Sequence, residues 1–440
     1  MKLQIKNIAK VKEAEILIDG ITVIAGENNT GKSTVGKVLF TLFDALQNID
    51  VKVRRQRSLR IKNVLKSLLP AIGPEMDPEA RYRLYKASHS EAVMNLISAC
   101  TDRGTDFSRE KLFEMYTIFQ KKLDGMAKIE VCFDDFLNKV MPYIEVPDID
   151  FAREVVRTSV FRIFNGQVNF LGSPDEEGTI TAVLKNKPIQ AKFSQHLCNS
   201  LEIGITLNNK VIYIDNPYLL DKLSPESYSG RYMRDPSMPA NVMEARLLEM
   251  LERGNQKHPE DGALERVLQQ KRLGKVIELI NSAIEAAVIK SDEGYALREA
   301  GTTYDVKFQN LSLGVRAFVA LKMLIENNII QHKDVLVLDE PEIHLHPKWQ
   351  VIYAHLVVLL QKELELSIVV ATHSHFFVDA INLYSRKYET SSSVHYYLSD
   401  LKDNRSVISE IPANNLEPIY QIMASAVDTL DELRADLAEI

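Results

Sequence analysis

The sequence predicts an α/β fold whose central sheet is built from both ends of the chain. Three observations predict it. Near the N-terminus, short apolar runs lead through a glycine-rich turn into a helix. Far downstream, a buried-strand run ends in two carboxylates. Between them lies a stretch too long for one loop, which predicts an insertion. At 440 residues, two or three domains are expected. Hydrophobic residues are 45% and charged residues 26%, which excludes a disordered or fibrous chain. The net charge of −7 gives no general sign of nucleic-acid or membrane binding and leaves only local patches to consider. Cys100, Cys132 and Cys198 form no CxxC pair, so neither a disulfide framework nor a zinc ribbon is expected. The opening MKLQIKNIAK alternates like a strand, so no leader is expected. No run approaches the ~20 apolar residues of a membrane span. The expectation is a soluble, cytoplasmic protein with no membrane partner.

The elements justify themselves in order. Leu3 and Ile5, Ile16 and Ile18, then Ile21, Val23 and Ile24 alternate as strands do. The last run enters Gly26-Glu-Asn28-Asn29-Thr30-Gly31-Lys32-Ser33, with Thr34 next, which matches G-x-x-x-x-G-K-[ST] between a strand and a helix. Val35, Val38, Leu39, Leu42, Phe43 and Leu46 then share one helix face. Gly26 and Gly31 let the backbone curl so that N–H groups and the helix N-terminus cradle phosphate oxygens. Lys32 reaches the β- and γ-phosphates, and the Ser33 hydroxyl is a Mg²⁺ ligand. The bland alternative, a chance glycine turn, loses weight because both flanking elements are right.

The run Asp334-Val-Leu-Val-Leu-Asp339-Glu340 is a Walker-B pattern. Asp339 is expected to hold Mg²⁺ and Glu340 to orient or deprotonate the attacking water. Plain strand caps also end in acids, but not beside a phosphate loop. After Pro341-Glu-Ile-His344-Leu-His346-Pro347 a helix follows, with Trp349, Ile352, Tyr353, Leu356 and Leu360 inward. The strand Ser367–Thr372 then ends at His373-Ser374-His375, where His373 is placed to meet a γ-phosphate. Upstream, Leu311-Ser312-Leu-Gly314-Val opens another helix, and Ser312 with Gly314 forms a second phosphate-binding device. The four histidines 344, 346, 373 and 375 near one sheet edge could hold zinc, but His346 and His373 fit the phosphate-site pattern better.

Walker A, an LSxG-type signature, Walker B with Asp-Glu, and a switch histidine stand in the order found in ABC-type ATPases. Gly26–Ser33, Asp339-Glu-Pro-Glu-Ile-His-Leu-His-Pro347 and Ala371-Thr-His-Ser374 resemble the OLD, RecF and SMC-related branch of AAA-family proteins. Within it they are similar to anti-phage defence ATPases such as PtuA (Septu and certain retrons) and AriA (PARIS). The resemblance covers roughly residues 1–45 and 300–400. It implies an ABC-type P-loop NTPase head with a split core, a mostly helical insertion and an antiparallel β lobe. It also implies ATP and Mg²⁺ as cofactors and a head-to-head dimer at least. Lys32, Ser33, Asp339, Glu340 and His373 would act in cis, with Ser312 and Gly314 acting in trans on the partner head. Three features depart from the family. The signature reads Leu-Ser-Leu-Gly-Val, His375 replaces the usual proline, and the Q-loop residue has only Gln167 as a candidate.

The expected divisions are 1–46 (core with Walker A), 47–150 (helical insertion), 151–220 (antiparallel β lobe), 221–298 (helical hairpin arm) and 299–440 (signature, Walker B, switch histidine and acidic C-terminal helix). Strands are expected over 155–216, at Thr179–Leu184, Ile203–Leu207 and Val211–Asp215, with a hairpin turn at Asn208-Asn209. A helical hairpin over 240–290 is expected to break at 254–262. Leu65, Leu68 and Leu69 before Pro70 mark an apolar helix face. Lys52, Arg54, Arg55, Arg57, Arg60, Lys62 and Lys66 form an acid-free basic cluster that could contact nucleic-acid phosphates or simply be a solvated face. Asp428, Asp431, Glu432, Asp436 and Glu439 make the closing helix acidic. Asp148-Ile-Asp150 is set aside as a Toprim pair because of its position in the insertion. An ATPase with no nuclease centre of its own points to a separate effector subunit, a nuclease or toxin, in phage defence. The alternatives are a RecF-like DNA-repair ATPase and a slow ATP-operated scaffold. A transporter subunit fits the motif wording least.

Overall fold

The computed structural model describes residues 1–67, 77–79, 82, 109–123, 133–223, 242–253, 271–291 and 294–438. The break at 254–262, Leu68 to Pro70, Cys100 and Cys132 lie outside them, while Cys198 is buried. In chain order the elements are β1 (Lys2–Ile8), β2 (Val11–Leu17), β3 (Ile21–Ala25), α1 (Lys32–Leu46), α2 (Ile49–Ser67), α3 (Arg109–Leu123), α4 (Phe133–Glu145) and α5 (Asp148–Ile163). Then come β4 (Gly178–Leu184), β5 (Lys187–Ser194), β6 (Leu197–Ile203), β7 (Val211–Ile214), α6 (Val242–Arg253), α7 (Gly274–Ile284), β8 (Ala286–Ser291), β9 (Gly294–Glu299) and β10 (Val306–Lys307). The C-terminal part holds α8 (Leu313–Glu326), β11 (Val335–Asp339), α9 (Pro347–Leu364), β12 (Ser367–Thr372), α10 (His375–Lys387), β13 (Val394–Lys402), β14 (Arg405–Ile411) and α11 (Glu417–Ala438).

The chain divides into two compact units, 1–47 with 156–440 and 48–155. In the larger one, an 11-stranded sheet runs β6-β5-β4-β1-β2-β14-β13-β3-β12-β11-β7. β13, β3, β12, β11 and β7 are parallel neighbours. Their runs are continuously apolar because both faces are covered: β3, β11 and β7 are buried at every residue. β6 to β2 are antiparallel. β14 joins the two halves, antiparallel to β13 and parallel to β2. The result is a mixed α/β fold in which a parallel half and an antiparallel half share one sheet. A core of Leu336, Leu338, Phe318, Leu356, Tyr353 and Phe377 lies on one face of the sheet.

Four local expectations are corrected. Residues 155–163 are helical within α5, so the strand region starts at Gly178. The strand placed at Ile203–Leu207 instead occupies Leu197–Ile203, and β5 was not anticipated. There is no hairpin at Asn208-Asn209: β7 crosses to the opposite sheet edge and pairs in parallel with β11. Its run Val-Ile-Tyr-Ile has no polar face to leave in water, and although β7 is the edge strand, α1 and α6 pack on it so that all four residues are buried. Finally, the described residues of 221–298 do not form a helical arm: Leu247, Leu248, Leu251, Val276 and Ile280 of α6 and α7 enter the main core, and β8 pairs antiparallel with β9.

The smaller unit contains α2, α3, α4 and the start of α5. Tyr116, Phe133 and Phe136 form an aromatic cluster, with Tyr116 and Phe136 stacked at 5.4 Å. The basic cluster on α2 is partly neutralised within this unit. Arg57 pairs with Asp148 at 2.8 Å and donates to the Val146 carbonyl, Arg54 pairs with Asp50, and Arg60 lies over the Tyr143 ring. Asp150 pairs with Arg153. Both members of the Asp148-Ile-Asp150 pair are thus ion-paired in the first turn of a helix.

Candidate functional site

The site forms where β3 and β11 end. β3 runs into the phosphate loop, whose curl uses left-handed backbone at Asn29 (φ 63°) and Gly31 (φ 85°) and the extreme φ of 152° at Gly26. Gly31 offers no side chain to cap α1, so no capping side chain competes with an anion at this helix start. Asn28 and Asn29 are exposed on the loop, while Thr30 is buried and donates its hydroxyl to the Glu27 carbonyl. The Thr34 amide closes onto Gly31. The Thr30 carbonyl accepts from Ser399 of β13 at 2.6 Å and from Ser406 of β14, both buried. The C-terminal hairpin therefore holds the N-terminal loop.

Lys32 is only 3% exposed, and its ammonium donates to the Gly26 and Glu27 carbonyls at 2.9 and 2.7 Å. It lies 3.4 Å from Glu340 Oε1. The Ser33 hydroxyl donates to Asp339 Oδ1 at 2.9 Å, which joins the two halves of the split core at one point. Burial pushes the Asp339 carboxyl up, and hydrogen bonds from Tyr213 and Ser33 oppose the shift. Glu340 has a left-handed backbone (φ 52°) and donates its amide to the Ala371 carbonyl. Its Oε2 meets His373 Nδ1 at 2.7 Å. Asp334, the first acid of the run, is structural: it accepts from the Lys210 and Gln331 amides.

Three residues that sequence reasoning missed complete the site. Tyr213 donates its hydroxyl to Asp339 Oδ2 at 2.6 Å. Glu342, 3% exposed, accepts at Oε1 from the Thr372 hydroxyl and the His373 amide, with His373 Nδ1 at 3.3 Å. Burial raises its pKa. It stands two residues beyond Glu340, so an acid-x-acid spacing was its visible signal. Arg316, buried on α8, pairs with Asp221 at 2.8 Å and donates to the Leu311 and Gln309 carbonyls, pinning the signature loop. Ser312 is exposed and caps α8 through the Val315 amide, and Gly314 packs against the His344 carbonyl and the Trp349 ring. Gln167 is exposed in a turn whose amide bonds to Phe164.

The four histidines do not gather. His346 caps α9 through the Lys348 amide, His344 meets the Tyr218 ring edge, and His375 lies on Phe376. Among the described residues, the acid–imidazole group close enough to share an ion is Glu340, Glu342 and His373.

The donor set fits Mg²⁺ with a nucleotide. One hydroxyl and one carboxylate already share an oxygen pair at the foot of an uncapped helix, and a buried ammonium sits in the loop. Glu340 is a carboxylate held beside the loop, between Lys32 at 3.4 Å and His373 at 2.7 Å.

Residues 218–379 match the family model described as "AAA domain, putative AbiEii toxin, Type IV TA system". No curated protein matches. Among solved structures, the chain is similar to an SMC head bound to the C-winged helix domain of ScpA, at 11% identity and TM-score 0.44, covering 96% of this chain and 98% of that one. It is also similar to the SMC head domain from Thermotoga maritima, at 12% identity and TM-score 0.36, covering 93% and 98%. The Smc head domain from Pyrococcus furiosus, bound to the C-terminal domain of ScpA, gives 11% identity and TM-score 0.38, covering 98% of each chain. No helix among the described residues is long and apolar enough to cross a membrane. The matched segment contains Ser312, Asp339, Glu340 and His373, while the phosphate loop lies outside it.

Proposed function

We propose that this protein is a Mg²⁺-dependent, cytoplasmic ATPase that hydrolyses ATP between two head-to-head copies and uses the cycle to gate a separate effector subunit in phage defence. The observation that carries the hydrolytic reading is the Ser33–Asp339 hydrogen bond beside the Lys32–Glu340–His373 chain. The loop amides and Lys32 bind the phosphates. Ser33 and Asp339 would hold Mg²⁺, which would supply Lewis-acid stabilisation of charge on the phosphate oxygens. Glu340 accepts a proton from the attacking water, and His373 and Lys32 orient its two carboxylate oxygens. Ser312 and Gly314 of the facing head supply donors to the γ-phosphate, so turnover rises with protein concentration.

The effector reading draws on the defence-ATPase motif wording and on the description of the matched family as a toxin of a Type IV system. A nucleic-acid reading rests on the α2 cations, and Arg57, Arg54 and Arg60 are already engaged within their own unit.

Phosphate release from ATP by the purified chain tests the hydrolytic reading. Turnover is expected with Mg²⁺ and none with excess EDTA. Equal release in EDTA would sink it. Co-expression with the open reading frames flanking the gene tests the gate: a nuclease or toxin should co-purify and be restrained by this chain. If every flanking product stays separate and harmless, the effector reading fails while the ATPase reading stands.

A further inference from the structure

Tyr213 belongs to none of the motifs that define the site, yet its hydroxyl is one of two donors on the carboxylate of Asp339. It stands on β7, opposite Val337 of β11 in parallel register. From there it reaches Asp339 Oδ2 at 2.6 Å while Ser33 takes Oδ1 at 2.9 Å. The ring is held on two sides. Phe40 meets it edge-on with centroids 6.0 Å apart. Above it runs α1, where position 36 is glycine. A Cβ on Gly36 would fall 2.7 Å from Val337 Cγ1 and 3.0 Å from Tyr213 Cε2. The missing side chain is thus what leaves room for the ring between helix and sheet.

We propose that Tyr213 is a positioning residue for the metal subsite: it occupies Oδ2 of Asp339 and so fixes Oδ1, beside Ser33, as the oxygen offered to Mg²⁺, with Gly36 reserving the space for its ring. A carboxylate with one oxygen tied to a buried phenol cannot rotate, and it presents a single acceptor next to the hydroxyl. Partners of this kind orient metal ligands, and their loss typically weakens metal affinity by about 10–100-fold. The proposal rests on the reading of Ser33 and Asp339 as metal ligands.

The test uses Tyr213→Phe, which keeps the ring against Phe40 and Gly36 and deletes only the donor. Free Mn²⁺ is followed by electron paramagnetic resonance in the presence of ADP, and fluorescent ADP binding is measured in EDTA. Mn²⁺ affinity is expected to fall at least about tenfold, with ADP affinity in EDTA and the thermal melt close to wild type. Mn²⁺ affinity within twofold of wild type overturns the role of Tyr213. Asp339→Asn is run alongside. If it binds Mn²⁺ as tightly as wild type, the metal-subsite reading itself fails. Gly36→Ala, which keeps the phenol but crowds its ring, should weaken Mn²⁺ binding in the same direction, and an unchanged affinity removes the space-reserving role of Gly36.

Discussion

Glu340→Gln is expected to abolish steady-state phosphate release, by about 10²–10⁴-fold, while ATP binding survives. The amide keeps the size of the side chain and can still meet Lys32 and His373, at 3.4 and 2.7 Å from the present oxygens. What it loses is the capacity to take a proton from water. The loop, Lys32, Ser33 and Asp339 are untouched, so the nucleotide should be bound and retained. The combination is the informative part. A variant that neither turns over nor binds would point to a collapsed loop, and one that turns over at more than a tenth of the wild-type rate would show that the base lies elsewhere. Single-turnover phosphate release and filter binding of ATP measure both quantities on one preparation.

The second large effect is expected from Gly26→Ala. Gly26 sits at φ 152°, and a Cβ there would stand 2.4 Å from the Ser399 carbonyl oxygen. That oxygen belongs to the backbone of β13, so it cannot swing aside as a side chain would. Strained backbone costs about 1–3 kcal/mol and overpacking a similar amount, so a loss of roughly 2–5 kcal/mol is expected, with loss of nucleotide binding. Gly274→Ala is the matched control. It begins α7, a Cβ there meets nothing within 4 Å, and the change should be neutral or stabilising by up to about 1 kcal/mol. Thermal melts of the two variants should therefore move apart. Equal melts would show that the loop relaxes around the added methyl and that the close approach to Ser399 does not constrain it.

The two ends of the site were readable because their chemistry fixes both residue type and spacing. A phosphate loop needs Gly26, Gly31, Lys32 and Ser33 at set intervals, and a buried strand ending in Asp339 and Glu340 has few other uses. The middle was harder for a physical reason. The two-residue turns Lys185-Asn186 and Gln195-His196 take positive φ at both positions without any glycine, so they lack the usual hairpin signature. β7 misled in the opposite way. Two asparagines before an apolar run suggest a local hairpin, but this run, buried at all four residues, is covered by helices and pairs in parallel with β11 at the sheet edge. The helices α6 and α7 carry an amphipathic pattern, and that pattern does not say whether the apolar face meets a second helix or the main core. Tyr213 had no local signal, because its role depends on a strand pairing between residues far apart in sequence. Arg316 is similar: its partner Asp221 lies outside the signature segment.

The strand that carries the phosphate loop has β12 on one side and β13 on the other, and the loop's Thr30 carbonyl is held by Ser399 and Ser406. During synthesis, the residues that name the protein as a nucleotide binder emerge first, yet none of their supports exist. β3 leaves the ribosome with two unpaired edges and an apolar face, and it waits for nearly the whole chain before either neighbour arrives. Closing so long a loop is slow, and an open edge invites the wrong pairing meanwhile. The order of manufacture is therefore the reverse of the order in which the motifs are read. The phosphate loop is the first part of the site to be made and among the last to become a binding site. On the proposed reading, a newborn chain would engage ATP only once Ser399 and Ser406 of its C-terminal hairpin hold the Thr30 carbonyl.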